Sequence, residues 1–142
     1  MTYENNDQKF VAVINRKHEL PVTMNALAHA AFGMSGKGRQ IGRLLDYPNN
    51  ATGFLAHVDE SPFIILEAKN SSQLKMLTIA AMDNARLTYN VFTTSMIGSS
   101  ANGQIAATRD AIDEGLDFVV VVLFGLREDV EPLTRRFSLF KG

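Results

Sequence analysis

Phe118-Val119-Val120-Val121-Val122-Leu123-Phe124 is the longest apolar run in the chain, and its reading decides the fold. Four consecutive valines favour extended backbone, because branching at Cβ stiffens χ1 and suits a pleated surface. The run lacks the polar/apolar alternation of a strand with one wet face. It therefore predicts a central strand in a sheet covered by helices on both sides. It is also far shorter than the roughly 20 residues that cross a bilayer as a helix, so no membrane contact is expected.

Working outward, Phe10-Val11-Ala12-Val13-Ile14 reads as a first strand, bounded by the polar stretch Asn15-Arg16-Lys17-His18. A helix is predicted from Pro21 to about Gly36, with proline in its first turn and glycine as a left-handed cap. Residues 37–60 mix Gly, Asn, Pro and charge around Ile41–Leu45 and Gly53–Val58, which predicts a connection with a short helix and a hairpin arm. Pro62–Leu66 reads as a second strand. Asn70-Ser71-Ser72 can cap a helix to Leu87 whose buried face is Leu74, Leu77, Ala81 and Ala85. Tyr89–Met96 is a third strand, and 102–114 a polar helix stopping at Gly115. After the valine strand Gly125 is expected to turn the chain, and Asp129 to cap a last helix with Glu131 and Pro132 in its first turn and Arg135-Arg136 at its negative end. Strands alternating with helices predict an α/β domain.

With 142 residues, 14 basic and 15 acidic side chains and a net charge of −1, the chain has no global field to draw nucleic acid or a membrane surface. Residues 9–142 are expected to form one α/β domain after a polar tail, 1–8. The absence of cysteine excludes disulfides, thiolate metal sites and a cysteine nucleophile. The polar start MTYENNDQKF is unlike a signal peptide, so a cytoplasmic location is expected and the acceptor-like Asn50-Ala51-Thr52 and Asn70-Ser71-Ser72 carry no weight.

Gly36-Lys37-Gly38 is not a phosphate loop, since that motif needs a strand before it, a helix after it, and Ser or Thr after the lysine. A helix cap with solvated Lys37 and Arg39 is the simpler reading. Lys37, Arg39 and Arg43 could form a basic patch, but with almost no aromatic interleaving RNA contact is not favoured over solvation. The three histidines, His18, His29 and His57, fall in three different elements without ligand spacing, so no metal is expected. Thr93-Thr94-Ser95 and Ser99-Ser100 lack a nucleophile elbow and read as strand and loop polarity. No cofactor motif is present and none is expected. On the first helix His29 shares a face with Asn25 and Phe32, beside Leu27, Ala30, Ala31 and Met34. Both a structural histidine and a ligand or proton-transfer group stay open.

The order "KFVAVIN…NALAHAAFG…FIILEA…FTTSM…VVVVLFGLREDVEPLTRRFSLF" resembles the type-II peptidyl-tRNA hydrolase fold from about Lys9 to Lys141. More closely it resembles an uncharacterised bacterial family of that fold, the domain of unknown function numbered 2000. The resemblance implies a three-layer α/β/α arrangement with a mixed sheet of about four strands, often as a homodimer. The hydrolases carry Lys-x-x-x-Gln-x-x-His-Ala on the first helix. Aligned on His29-Ala30, this chain has Val22 and Ala26 at the lysine and glutamine positions, and Phe92–Gly98 has no acid where the hydrolases place an aspartate. Loss of cation, amide and carboxylate argues against the same reaction.

What the resemblance keeps is a cleft set of Asn25, His29, Phe92, Thr93 and Met96. The expected function is a cytoplasmic homodimer that binds a small polar ligand or a protein partner there. The alternative is a hydrolase of peptidyl-tRNA or a related ester, with His29 as general base and Asn25 or Thr93 orienting substrate. A third reading is a structural dimer module with an exposed apolar patch.

Overall fold

The computed structural model describes residues 7–98 and 100–142. Residues 1–6 of the expected tail and Ser99 lie outside them. The elements are β1 (Gln8–Asn15), α1 (Leu20–Gly33), β2 (Leu44–Pro48), β3 (Leu55–Asp59), β4 (Phe63–Ala68), α2 (Ser71–Met82), β5 (Thr88–Thr93), α3 (Ala101–Asp110), β6 (Phe118–Leu126), α4 (Arg127–Thr134) and β7 (Ser138–Leu139). No helix among the described residues is long and apolar enough to cross a membrane.

The valine strand is β6, buried from Phe118 to Gly125 and placed between β5 and β1 in a sheet of order β5-β6-β1-β4-β7. The sheet is mixed, with β1 and β4 parallel and the other pairs antiparallel. It has five strands where four were expected. The fifth, β7, pairs only through Leu139 with Leu66 and Ser138 with Glu67, and two residues are too few to show a period of two.

Successive side chains of β1 point to opposite faces, and the core divides accordingly. Phe10, Ala12 and Ile14 pack with Ala26, Ala30 and Met34 from α1 and the turn after it. Val11 and Val13 pack with Leu74, Leu77 and Ala81 of α2 and Val130 of α4. On β6 the alternation slips once. Phe92 pairs with Val120 but Thr93 pairs with Phe118, leaving Val119 as an extra residue. Val119 and Val120 consequently both fall on the α1 side, as a β-bulge requires.

Several boundaries differ from the sequence reading, each for a contact distant in the chain. Asn15 is not a solvated boundary but the buried end of β1, 1% exposed. Its Nδ2 donates to Phe118 O at 2.9 Å, and its Oδ1 accepts from Lys17 N at 3.0 Å. Gly125 does not turn the chain. It pairs with Lys9 inside the sheet, and a Cβ there would stand 2.6 Å from Leu87 Cδ2. Asp129 is not the cap of the last helix, which begins at Arg127 and has Pro132 in its interior rather than its first turn. The Asp129 side chain is buried, and its Oδ1 accepts from Arg86 Nη2 at 2.5 Å and Asn84 Nδ2 at 3.3 Å, tying α4 to the connection between α2 and β5.

α1 gives way at Gly33 to a 3-10 turn, Met34–Lys37, and the left-handed glycine is Gly38, φ 72°, rather than Gly36. α2 stops at Met82, five residues before the expected Leu87, which leaves Ala85 outside its face. α3 stops at Asp110 and a 3-10 turn follows at Asp113–Gly115. The expected strand 89–96 divides into β5 and a 3-10 turn, Thr94–Met96. Within 38–60 no short helix forms, but the hairpin arm is present as β2 and β3, which pair only with each other. Asn70 caps α2 by accepting from Gln73 N.

Asn15→Leu keeps the number and branching of the heavy atoms but removes both bonds at the junction of β1 and β6. The expected loss is about 1–3 kcal/mol, read as a lower urea midpoint with an unchanged slope.

Candidate functional site

α1 exposes Asn25 and His29 one turn apart. β5 faces them with Asn90 and Phe92, which alternate along the strand opposite Val122 and Val120. Between these elements, closed by the 3-10 turn after β5 and by α3, lies a cavity of about 570 Å³. Asn25, His29, Asn90, Phe92, Met96, Ile97, Gly98 and Gln104 line it together with Ala30 and Val91. The His29 ring lies over that of Phe92, centroids 6.0 Å apart and planes 27° from parallel. Phe92 is buried beneath it, while His29 is open to solvent.

Two carboxamides in this cleft are held by their amide nitrogens. Asn90 Nδ2 donates to Ala30 O at 2.9 Å, and Gln104 Nε2 donates to Gly98 O at 2.9 Å. A carbonyl oxygen only accepts, so both contacts fix which end of the amide faces the backbone. Gly33 leaves room for the first, since a Cβ there would stand 2.6 Å from Asn90 Nδ2. No Asp, Glu, Lys or Arg lines the cavity.

Of the residues singled out in the sequence, Asn25, His29, Phe92 and Met96 meet in this cleft. Thr93 does not line it. Its hydroxyl is 2.6 Å from Ser95 Oγ, which is 2.8 Å from Thr108 Oγ1, which donates to Gln104 O at 2.8 Å. Because each hydroxyl has one proton and that of Thr108 is committed to Gln104 O, Ser95 donates to Thr108 and Thr93 to Ser95. The relay fastens α3 to the end of β5. Phe32 also stands apart from the cleft, 82% exposed on the outer side of α1.

Asn90 and Gln104 escaped the sequence reading. Asn90 sits in a strand where alternation could have flagged it as sharing a face with Phe92. Gln104 lies on a polar helix with no signal to separate it from its neighbours.

The basic residues after α1 are exposed, and each also has a partner. Lys37 Nζ lies 4.6 Å from the Tyr89 ring centroid, Arg39 donates to the carbonyls of Ala85 and Leu87, and Arg43 Nε is 3.5 Å from Glu60 Oε2. His18 pairs with Asp117 at 3.1 Å and His57 with Asp46 at 2.8 Å, both away from His29. Among the described residues no group of three or more His, Asp or Glu could hold a metal ion.

A second cavity of about 520 Å³ lies over β1 and β4, with an apolar floor of Val11, Ile64, Leu66 and Phe137. At its rim Lys9 Nζ stands 3.3 Å from Glu131 Oε1. That hydrogen bond holds the Glu131 carboxyl below its ordinary range. Convergent polar groups in an otherwise apolar cleft mark the His29 cavity as the better candidate.

A family model described as a protein of unknown function (DUF2000) matches residues 8–141. No curated protein matches the chain. A solved structure of a protein of unknown function, Atu0240 from Agrobacterium tumefaciens strain C58, is similar at 17% identity with a TM-score of 0.75, over 95% of this chain and 98% of that one. At that identity the likeness describes the fold alone.

Thr93→Val removes the first donor of the hydroxyl relay without changing the volume. The expected result is a loss of about 1 kcal/mol in chemical denaturation, with the His29 ring resonances unmoved. A displaced His29 signal would put Thr93 in the cleft.

Proposed function

The chain belongs to the DUF2000 family, and from that premise we propose that it binds a small polar ligand in the cleft between α1 and β5 and is not a peptidyl-tRNA hydrolase. The observation that carries this reading is the lining itself, three carboxamides and an open imidazole over an apolar floor with no charged group. The His29 imidazole makes no hydrogen bond among the described residues. A general base in such chemistry is ordinarily oriented by a second polar group, and no described side chain is bonded to this ring.

The proposal keeps the three-layer arrangement of the type-II peptidyl-tRNA hydrolase kind. In that alignment Val22 and Ala26 replace the reactive lysine and glutamine. Ala26 is fully buried and Val22 packs against the same core, so neither position offers a group to a substrate.

The proposal includes a cytoplasmic homodimer. α1 contains no charged residue, and Leu20, Met24 and Phe32 lie on one i, i+4 ridge of its outer face, all exposed. An apolar ridge of this spacing suits packing against another helix. The β2–β3 hairpin, with Leu44, Phe54, Leu55 and Val58 exposed, adds apolar surface that a lone two-stranded ribbon does not shelter.

Two measurements test these statements. Neutral, anionic and cationic small-molecule fragments, followed by amide NMR, are expected to shift His29 and Gln104, and His29→Ala to weaken the hits about tenfold. Release of peptide from peptidyl-tRNA that disappears in His29→Ala would overturn the binding reading. Light scattering is expected to give twice the chain mass for wild type and a folded monomer for Phe32→Glu. A wild-type monomer at high concentration removes the homodimer.

A further inference from the structure

We infer that the cleft selects a neutral ligand carrying a planar –NH2 group, either a primary carboxamide or an amino group on a heteroaromatic ring. The inference rests on the cleft being a ligand site and names what that site recognises. Its basis is the direction of two hydrogen bonds. Asn90 and Gln104 spend their amide nitrogens on Ala30 O and Gly98 O. Their carbonyl oxygens, Asn90 Oδ1 and Gln104 Oε1, accept from no group among the described residues, and neither is a buried orphan. The fixed polar groups of the cleft are therefore acceptors, and acceptors call for donors on the ligand.

Charge then narrows the choice. A carboxylate or phosphate would meet two carbonyl oxygens and no Lys or Arg side chain. An ammonium would lose water without gaining a counter-charge, which is costly in a partly enclosed site. A neutral N–H donor satisfies both oxygens at no such penalty. Planarity follows from the floor, where the exposed face of His29, backed by Phe92, offers a surface for a flat π system. The Asn25 side chain makes no hydrogen bond among the described residues and can turn either end of its amide to the ligand.

Two matched pairs test this on the full chain. Nicotinamide against nicotinate exchanges the –NH2 for a charged oxygen, and adenosine against purine riboside removes the exocyclic amine. Binding is read from amide and side-chain NMR shifts at His29, Asn90 and Gln104 up to millimolar concentration. At least one amino member should bind there about tenfold or more tightly than its partner. Gln104→Leu, on the exposed helix α3, should reduce that preference while the fold persists. A response to nicotinamide alone assigns a carboxamide, and one to adenosine alone assigns an aminated ring.

Equal binding of nicotinate or purine riboside at these residues would overturn the inference while leaving the cleft a ligand site. Silence from all four compounds would overturn it too, and the binding reading itself fails only if the wider fragment set is silent as well.

Discussion

The structure depends on burying β6 on both faces at once. A strand with no polar side chain from Phe118 to Phe124 has no face to give to water, so the chain must provide a neighbour on each edge and a cover on each side. β1 and β5 take the edges. Small residues on α1, Ala26 and Ala30, let that helix lie close to one face, while Leu74, Leu77 and Val130 fill the other. The bonds at the start of β6 serve the same end. Phe118 N donates to Ser71 Oγ at 2.9 Å and Phe118 O accepts from Asn15, so both backbone groups of the first residue of the strand are satisfied by side chains of two other elements.

The bulge at Val119 links this core to the cleft. Without it Thr93 would lie opposite Val119 and the end of β5 would keep strict register. With it, the register shifts between Phe92 and Thr93, just before the 3-10 turn that brings Met96 and Ile97 to the cavity. Bulges commonly re-aim side chains beside binding sites, and here the turn that follows one provides two of the cavity's apolar walls.

What could be read from the sequence was whatever local pattern decides. The valine run declared a central strand, Asn70 declared a helix start, and the period of Leu74, Leu77 and Ala81 declared a face. The cleft was half legible, because Asn25 and His29 on one helix face and Phe92 and Met96 beyond a strand could be grouped through a family resemblance. Its other half depends on tertiary approach. Asn90 matters because Ala30 stands 2.9 Å away, a contact between elements 60 residues apart. Asp129 looked like a cap because aspartate favours that position locally, yet its buried carboxylate is held by an exposed Arg86 and by Asn84. Gly125 looked like a turn because glycine usually marks one, whereas here it makes room for Leu87. In each case a residue with a strong local preference was claimed by a partner that no window of sequence contains.

α3 has no buried residue. It is held to the domain by the Ser95–Thr108 hydroxyl contact and the Gln104–Gly98 bond, not by an apolar seam. Such an element opens at a small fraction of the free energy needed to unfold the sheet. One wall of the cavity is thus tethered by a few polar bonds while the opposite wall belongs to the packed core. A molecule bridging the two would slow deuterium uptake along α3 far more than it would raise the global melting temperature.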